Sequence, residues 1–157
     1  MIRFFDDDPV LTIPEINKFI DECDTRGYFD TRNNWRDNFN EHFKKLITKK
    51  QILTFRENGK LIGICSWAIV DDNSKRWINK IRWQLPVNVS EGDILYIDVT
   101  LIKRNGIEIL SKIRDYFKER YCHKSAIKEV FWFHAARKRF FRTNLKGEKS
   151  CTSSIVG

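Results

Sequence analysis

A chain of 157 residues with 41% hydrophobic and 13% aromatic content is long enough to bury one core and too apolar to stay disordered. Its 29 Lys and Arg against 21 Asp and Glu leave a formal charge of +8, which points to an acidic partner. The four cysteines are scattered, with no C-x-x-C pair and no ligand-like spacing to the three histidines, so reduced thiols and no metal are expected.

Met1 leads into Asp6-Asp7-Asp8 rather than into a signal peptide, and no apolar run reaches spanning length. No membrane span and a cytoplasmic location are therefore expected. Thr12-Ile13-Pro14-Glu15 has the form of a capping box with proline in the first turn. Ile13, Ile16, Phe19, Ile20 and Cys23 then line one helical face, closed by Gly27. A polar turn over residues 30–34 precedes a second helix with the stripe Trp35, Phe39, Phe43, Leu46 and Ile47. Residues 51–57, Asn58-Gly59 and residues 60–70 predict a hairpin, because Asn-Gly between apolar strands supplies the required positive-φ turn.

Residues 71–91 read as an irregular insertion in which Lys75, Arg76, Lys80 and Arg82 interleave with Trp77 and Trp83. Such cations and rings can pair with and stack on a substrate, or the tryptophans can fold back onto the sheet. Residues 94–102 form a strand buried on both faces, interrupted by Asp98 and Thr100. A carboxylate there needs either a structural cation or a chemical use. The strand runs into Lys103-Arg104-Asn105-Gly106, a basic turn opening a helix whose free N–H groups favour an anion. Ile107, Leu110, Ile113, Phe117 and Tyr121 predict the packed face of that helix. A strand over residues 129–134 ends at His134 and leads into the basic, aromatic residues 136–142. The strand–helix–strand unit predicts a right-handed parallel crossover, and the whole chain an α/β fold on a mixed sheet with helices on both faces.

This order resembles the GNAT-like N-acetyltransferase superfamily over most of the chain. The resemblance implies one GNAT-like domain over residues 1–157, with 71–91 inserted between strands and 147–157 a flexible tail. It implies that Val99, Thr100, Lys103, Arg104, Asn105 and Gly106 bind the cofactor-like donor, acyl-CoA in most members. Lys103 stands at the leading Arg position of the family's phosphate-binding turn, and Glu108 at its second glycine position. A narrower resemblance is to the RTX toxin-activating lysine acyltransferases, which take the acyl group from acyl carrier protein. It rests on Cys65-Ser66-Trp67-Ala68, Gly92-Asp93, Tyr96-Ile97-Asp98 and Asn105-Gly106. It implies that Asp98 is the catalytic aspartate. The same family's His-Arg-Asn-Trp stretch is Arg32-Asn33-Asn34-Trp35 here, and arginine cannot serve as a base. Phe141 stands near the place of the tyrosine acid of many GNAT enzymes.

Acyl transfer to an amine needs a base, donors for an oxyanion and a proton for the leaving thiolate. Asp98 and His134 are the catalytic candidates. His134 ends a strand at the edge where crossover sheets place their sites, with a core or capping role as its alternative. The expected activity is N-acyl transfer from acyl-CoA or acyl carrier protein to a protein lysine or small amine. Acyl carrier protein is acidic, which suits a charge of +8. The alternative is a GNAT-like protein, non-enzymatic or nucleic-acid-modifying, that binds nucleic acid or an acidic protein. Arg32, Trp35, Arg76, Trp77, Arg82, Trp83, Arg137 and Arg139 are the expected partner-binding residues, and a homodimer is one expected assembly.

Overall fold

The computed structural model of this chain describes residues 1–23, 35–81, 92–121, 127–134 and 139–144. In chain order they form β1 (Ile2–Phe5), α1 (Ile13–Glu22), α2 (Trp35–Thr48), β2 (Ile52–Glu57) and β3 (Lys60–Val70). There follow α3 (Asp72–Ile81), β4 (Ile94–Ile102), α4 (Gly106–Tyr121), β5 (Glu129–His134) and β6 (Arg139–Asn144). The strands make a six-stranded sheet in the order β1-β2-β3-β4-β5-β6. Pairing is antiparallel for β1–β2, β2–β3 and β5–β6 and parallel for β4–β5, so the sheet is mixed, as expected. The residues fall into two compact units, Met1–Ser66 with Val99–Ile109, and Trp67–Asp98 with Leu110–Gly157.

In the first unit, the Thr12 hydroxyl accepts the Glu15 N–H at 3.3 Å and Pro14 sits in the first turn of α1. The helix has a single apolar stripe, so Ile16, Phe19 and Ile20 are buried against Phe39, Phe43 and Leu46 of α2. Both sets pack on Ile52, Leu61, Ile64, Val99 and Leu101 of the strands. Burying each such side chain contributes about 1.5–3 kcal/mol. The β2–β3 turn has positive φ at both Asn58 (51°) and Gly59 (77°), the backbone that Asn-Gly adopts at little cost.

Charge is buried here too. Arg56, 5% exposed, donates through Nε to Asp8 at 2.7 Å and through Nη1 and Nη2 to Glu15 at 2.8 and 2.6 Å. Its remaining reach goes to the Gly59 carbonyl at 3.0 Å, so the guanidinium fork ties β2, the hairpin turn, α1 and the segment after β1 together.

The second unit has its own cluster of Ala68, Val70, Ile78, Ile94, Tyr96 and Phe131, with Tyr96 and Phe131 stacked at 4.7 Å. Trp67 lies edge-on to Phe117 and Tyr121, and the Arg120 guanidinium stands 5.5 Å over its ring. Gly92 has φ +144°, and a Cβ there would lie 2.0 Å from the Val70 carbonyl oxygen. No other residue fits that crossing.

Three expectations change. Residues 72–81 of the supposed irregular insertion are the helix α3: Asp71 caps it, accepting the Ser74 N–H at 2.7 Å, and Ile78 is its fully buried anchor. On α4 the packed residues are Ile109, Ile113 and Phe117, while Ile107 and Leu110 are 91% and 53% exposed. Gly63 accounts for that rotation, since its missing side chain leaves room for Ile109, whose Cδ1 would be 3.1 Å from a Cβ. Finally, Ile2–Phe5 is a strand that the sequence reading left unassigned, paired with β2 from Ile2↔Glu57 to Phe5↔Thr54.

Candidate functional site

β4 is the apolar strand its composition dictates, and it lies between β3 and β5. Its parallel ladder with β5 runs from Ile94↔Glu129 to Ile97↔Trp132. Asp98 is the next residue of β4, its side chain buried at 5% exposure. β5 continues two residues past Trp132 to His134, which pairs across to Arg139 of β6. The second unit thus brings the backbone positions of both catalytic candidates to the end of one parallel ladder. His134, like Trp35, Trp77 and Arg139, is described through its backbone alone.

On its other side β4 runs antiparallel to β3. Lys103 donates its N–H to the Ile62 carbonyl at 2.8 Å, and Val99 donates its N–H to the Ser66 hydroxyl at 3.1 Å, so numbers rise on one strand as they fall on the other. Ser66 of the Cys65-Ser66-Trp67-Ala68 run therefore holds β4 in place. The Val99 N–H is engaged by it, and the Thr100 hydroxyl reaches the Cys65 sulfur at 3.5 Å. These two candidates are tied into the sheet at their polar atoms.

The turn after β4 has the expected shape. Asn105 takes a positive φ of 60°, its carbonyl accepts the Ile109 N–H at 3.0 Å, and Gly106 opens α4. Among the described residues, apart from its chain neighbours and the helix's own backbone, nothing lies within 4 Å of where a Gly106 Cβ would be. The two cations of the turn are already engaged. Lys103 pairs with Glu22 at the end of α1, and Arg104 donates to Glu57 at 2.9 Å. The hydrogen bond from Lys103 holds the Glu22 carboxyl below its usual range, while burial pushes the neighbouring Cys23 thiol up.

Beside this turn, within the first unit, is a cavity of about 510 Å³ between α1 and the hairpin turn. Phe19, Leu61 and Ile62 line it, with the cations Lys18, Lys60, Lys103 and Arg104 and the carboxylates Glu15, Asp21 and Glu22. No local pattern signals this cavity, because its walls come from segments up to 89 residues apart, at Glu15 and Arg104.

Of the expected partner-binding residues, Arg76 is exposed on α3, bonded to Asn73. Arg32, Arg82, Trp83 and Arg137 lie outside the described residues, as do Gly27, Phe141's side chain and the 147–157 tail. Lys75, one of the cations of the 71–91 stretch, is paired with Glu129 and stands 5.6 Å over the Phe131 ring. Among the described residues no group of three or more His, Cys, Asp or Glu side chains gathers as for a metal. No helix among them is long and apolar enough to cross a membrane.

No family model matches the sequence, and no curated protein does. Among solved structures, the loading GNATL domain of CurA from Lyngbya majuscula is similar with a TM-score of 0.57 at 16% identity, over 85% of this chain. The match spans 64% of that domain, less than two thirds of its length. The GphF GNAT-like decarboxylase in complex with isobutyryl-CoA gives 0.55 at 11% identity, over 84% of this chain and 64% of that one. A Staphylococcus aureus Mu50 protein described as an acetyltransferase gives 0.54 at 18%, over 93% of this chain and 99% of that one. At these identities the likeness concerns the fold.

Proposed function

From its GNAT-like fold, we propose that this chain transfers an acyl group from an acyl thioester, acyl-CoA or acyl carrier protein, to an amine. The observation that carries this reading is Asp98, a buried carboxylate immediately past the last rung of the β4–β5 ladder. A buried carboxylate in the strand of a parallel crossover is a candidate for chemistry as well as for a structural ion pair. The isobutyryl-CoA bound by a neighbour of the same fold supports a thioester donor.

The step is a substitution at the thioester carbonyl. The amine nitrogen bonds to the carbonyl carbon, the C–S bond breaks, the ammonium proton passes to a base and the thiolate takes up a proton. Asp98 is proposed to accept or direct the first proton, and His134 is the second candidate for either transfer. The first turn of α4, with Lys103 and Arg104 at its entrance, is proposed to face the donor's phosphate. Glu108 in that turn disfavours a pyrophosphate and favours a donor with a single phosphodiester, which is the link in acyl carrier protein.

Native mass spectrometry after incubation with acetyl-CoA, a long-chain acyl-CoA and acylated carrier protein tests the reading. A retained donor or a covalent acyl adduct supports it and names the donor class; retention of none refutes it. The second reading, a binder of nucleic acid or an acidic protein, draws on the +8 charge and the exposed Arg76. It requires nucleic-acid affinity that falls steeply with salt.

A further inference from the structure

The outer surface of α4 sorts its side chains by kind. The helix runs unbroken from Gly106 to Tyr121, and its buried edge is Ile109, Ile113 and Phe117. At about 3.6 residues per turn, Ile107, Leu110, Arg114 and Lys118 fall in one stripe beside that edge. Glu108, Asp115 and Glu119 fall on the other side of it, and no acidic residue stands in the first stripe. Ile107 and Leu110 are 91% and 53% exposed, an apolar pair left in water. Arg114 and Lys118 are partly exposed, and neither is in an ion pair among the described residues. Four residues apart on one helix, the two cations repel, where an acid at either position would have paired. The helix itself is better served by mixed charges, so this arrangement points outward.

We propose that this stripe docks an acidic amphipathic helix of a partner protein, its apolar residues on Ile107 and Leu110 and its carboxylates on Arg114 and Lys118. The charges select the occupant. Nucleic acid would engage the two cations and gain little from Ile107 and Leu110. An anionic membrane would also meet the row of Glu108, Asp115 and Glu119, because a flat surface cannot pick out one stripe of a helix. Two copies of α4 packed antiparallel would set Leu110 against Arg114 and Ile107 against Lys118, which leaves every cation without an acid. A helix that carries its own acids beside its apolar residues answers both halves of the stripe. The surface uses neither Asp98 nor His134, so it stands whether or not the chain transfers acyl groups.

Fluorescence anisotropy of the full chain with a labelled helical peptide of Leu, Glu and Ala, its Leu face flanked by Glu, tests this. The peptide should bind, more weakly as salt rises, and a scrambled peptide of the same composition should not. The double variants Ile107→Ser/Leu110→Ser and Arg114→Glu/Lys118→Glu should each weaken binding by at least about tenfold. Both should melt like the parent, since none of the four side chains belongs to the buried core. In the parent chain the methyl resonances of Ile107 and Leu110 should shift on titration, which reads the contact without any substitution. Equal binding of the scrambled peptide overturns the proposal, as does no binding, or binding that either double variant leaves unchanged. Phosphatidylserine vesicles bound in place of the peptide would assign the stripe to a membrane. A concentration-dependent dimer lost in both double variants would assign it to a second copy, and either result also overturns the proposal.

Discussion

Ile97 and Trp132 form the last rung of the parallel ladder between β4 and β5, and Asp98 is the next residue along β4. The buried carboxylate thus follows directly on the paired part of the two strands. If Asp98 handles the proton of the attacking amine there, Asp98→Asn keeps the volume and loses the base. Acyl transfer should fall by about 10²–10⁴-fold, with thermal stability little changed. Wild-type turnover in that variant would remove Asp98 from the chemistry.

Arg56 is predicted to matter for stability more than for activity. Its guanidinium is held by Asp8 and Glu15, which raise its affinity for its proton, and it is 5% exposed. Arg56→Ala leaves the Asp8 carboxylate buried without its cation, which costs about 3–5 kcal/mol. Urea denaturation of the variant against the parent measures this.

The same network predicts a direction with pH. Burial works against the charged form of Asp8, but Arg56, Thr54 and the Val10 N–H outweigh it and hold the carboxyl below its ordinary 3.8. A carboxyl whose pKa is depressed by folding stabilises the protein above the unfolded value. That contribution is lost as pH falls from near 3.8 through the lower folded value. Melting curves between neutral and acid pH should therefore show a decline that Asp8→Asn flattens.

Gly92→Ala should be among the most damaging single changes. A methyl group would stand 2.0 Å from the Val70 carbonyl oxygen on a backbone at φ +144°. Backbone strain alone accounts for about 1–3 kcal/mol, and the overlap adds to it. Loss of the cooperative melting transition would be the outcome; a fully stable Gly92→Ala would contradict the crossing described at Val70.

The cap of α3 is a milder case. Asp71→Ala removes the acceptor of the Ser74 N–H and should loosen the first turn of α3 with only a small loss of overall stability. Hydrogen exchange along α3 should speed up first.

What could be read from the sequence was what local chemistry decides. Asn58-Gly59 dictates its own turn, the apolar run of β4 ends at Lys103, and the basic turn Lys103-Arg104-Asn105-Gly106 leads into α4. The rest depended on distant neighbours. Ile2–Phe5 becomes a strand because β2 offers an edge to pair with. The packed face of α4 turned on Gly63, some 46 residues before Ile109, since helical spacing fits Ile107 and Leu110 as well as Ile109 and Ile113. At the site, the burial of Asp98 was legible from its apolar flanks. The engagement of Val99 by Ser66 and of Lys103 by Glu22 was not, because each partner is far away in sequence.

The most direct test of the central claim is a crystal structure with a thioether analogue of an acyl-phosphopantetheine, the arm shared by both donor classes. The predicted result places the arm between β4 and β5 past Ile97 and Trp132, with the acyl carbon beside Asp98. An analogue that binds elsewhere, or that leaves the space beside Asp98 unoccupied, would contradict it.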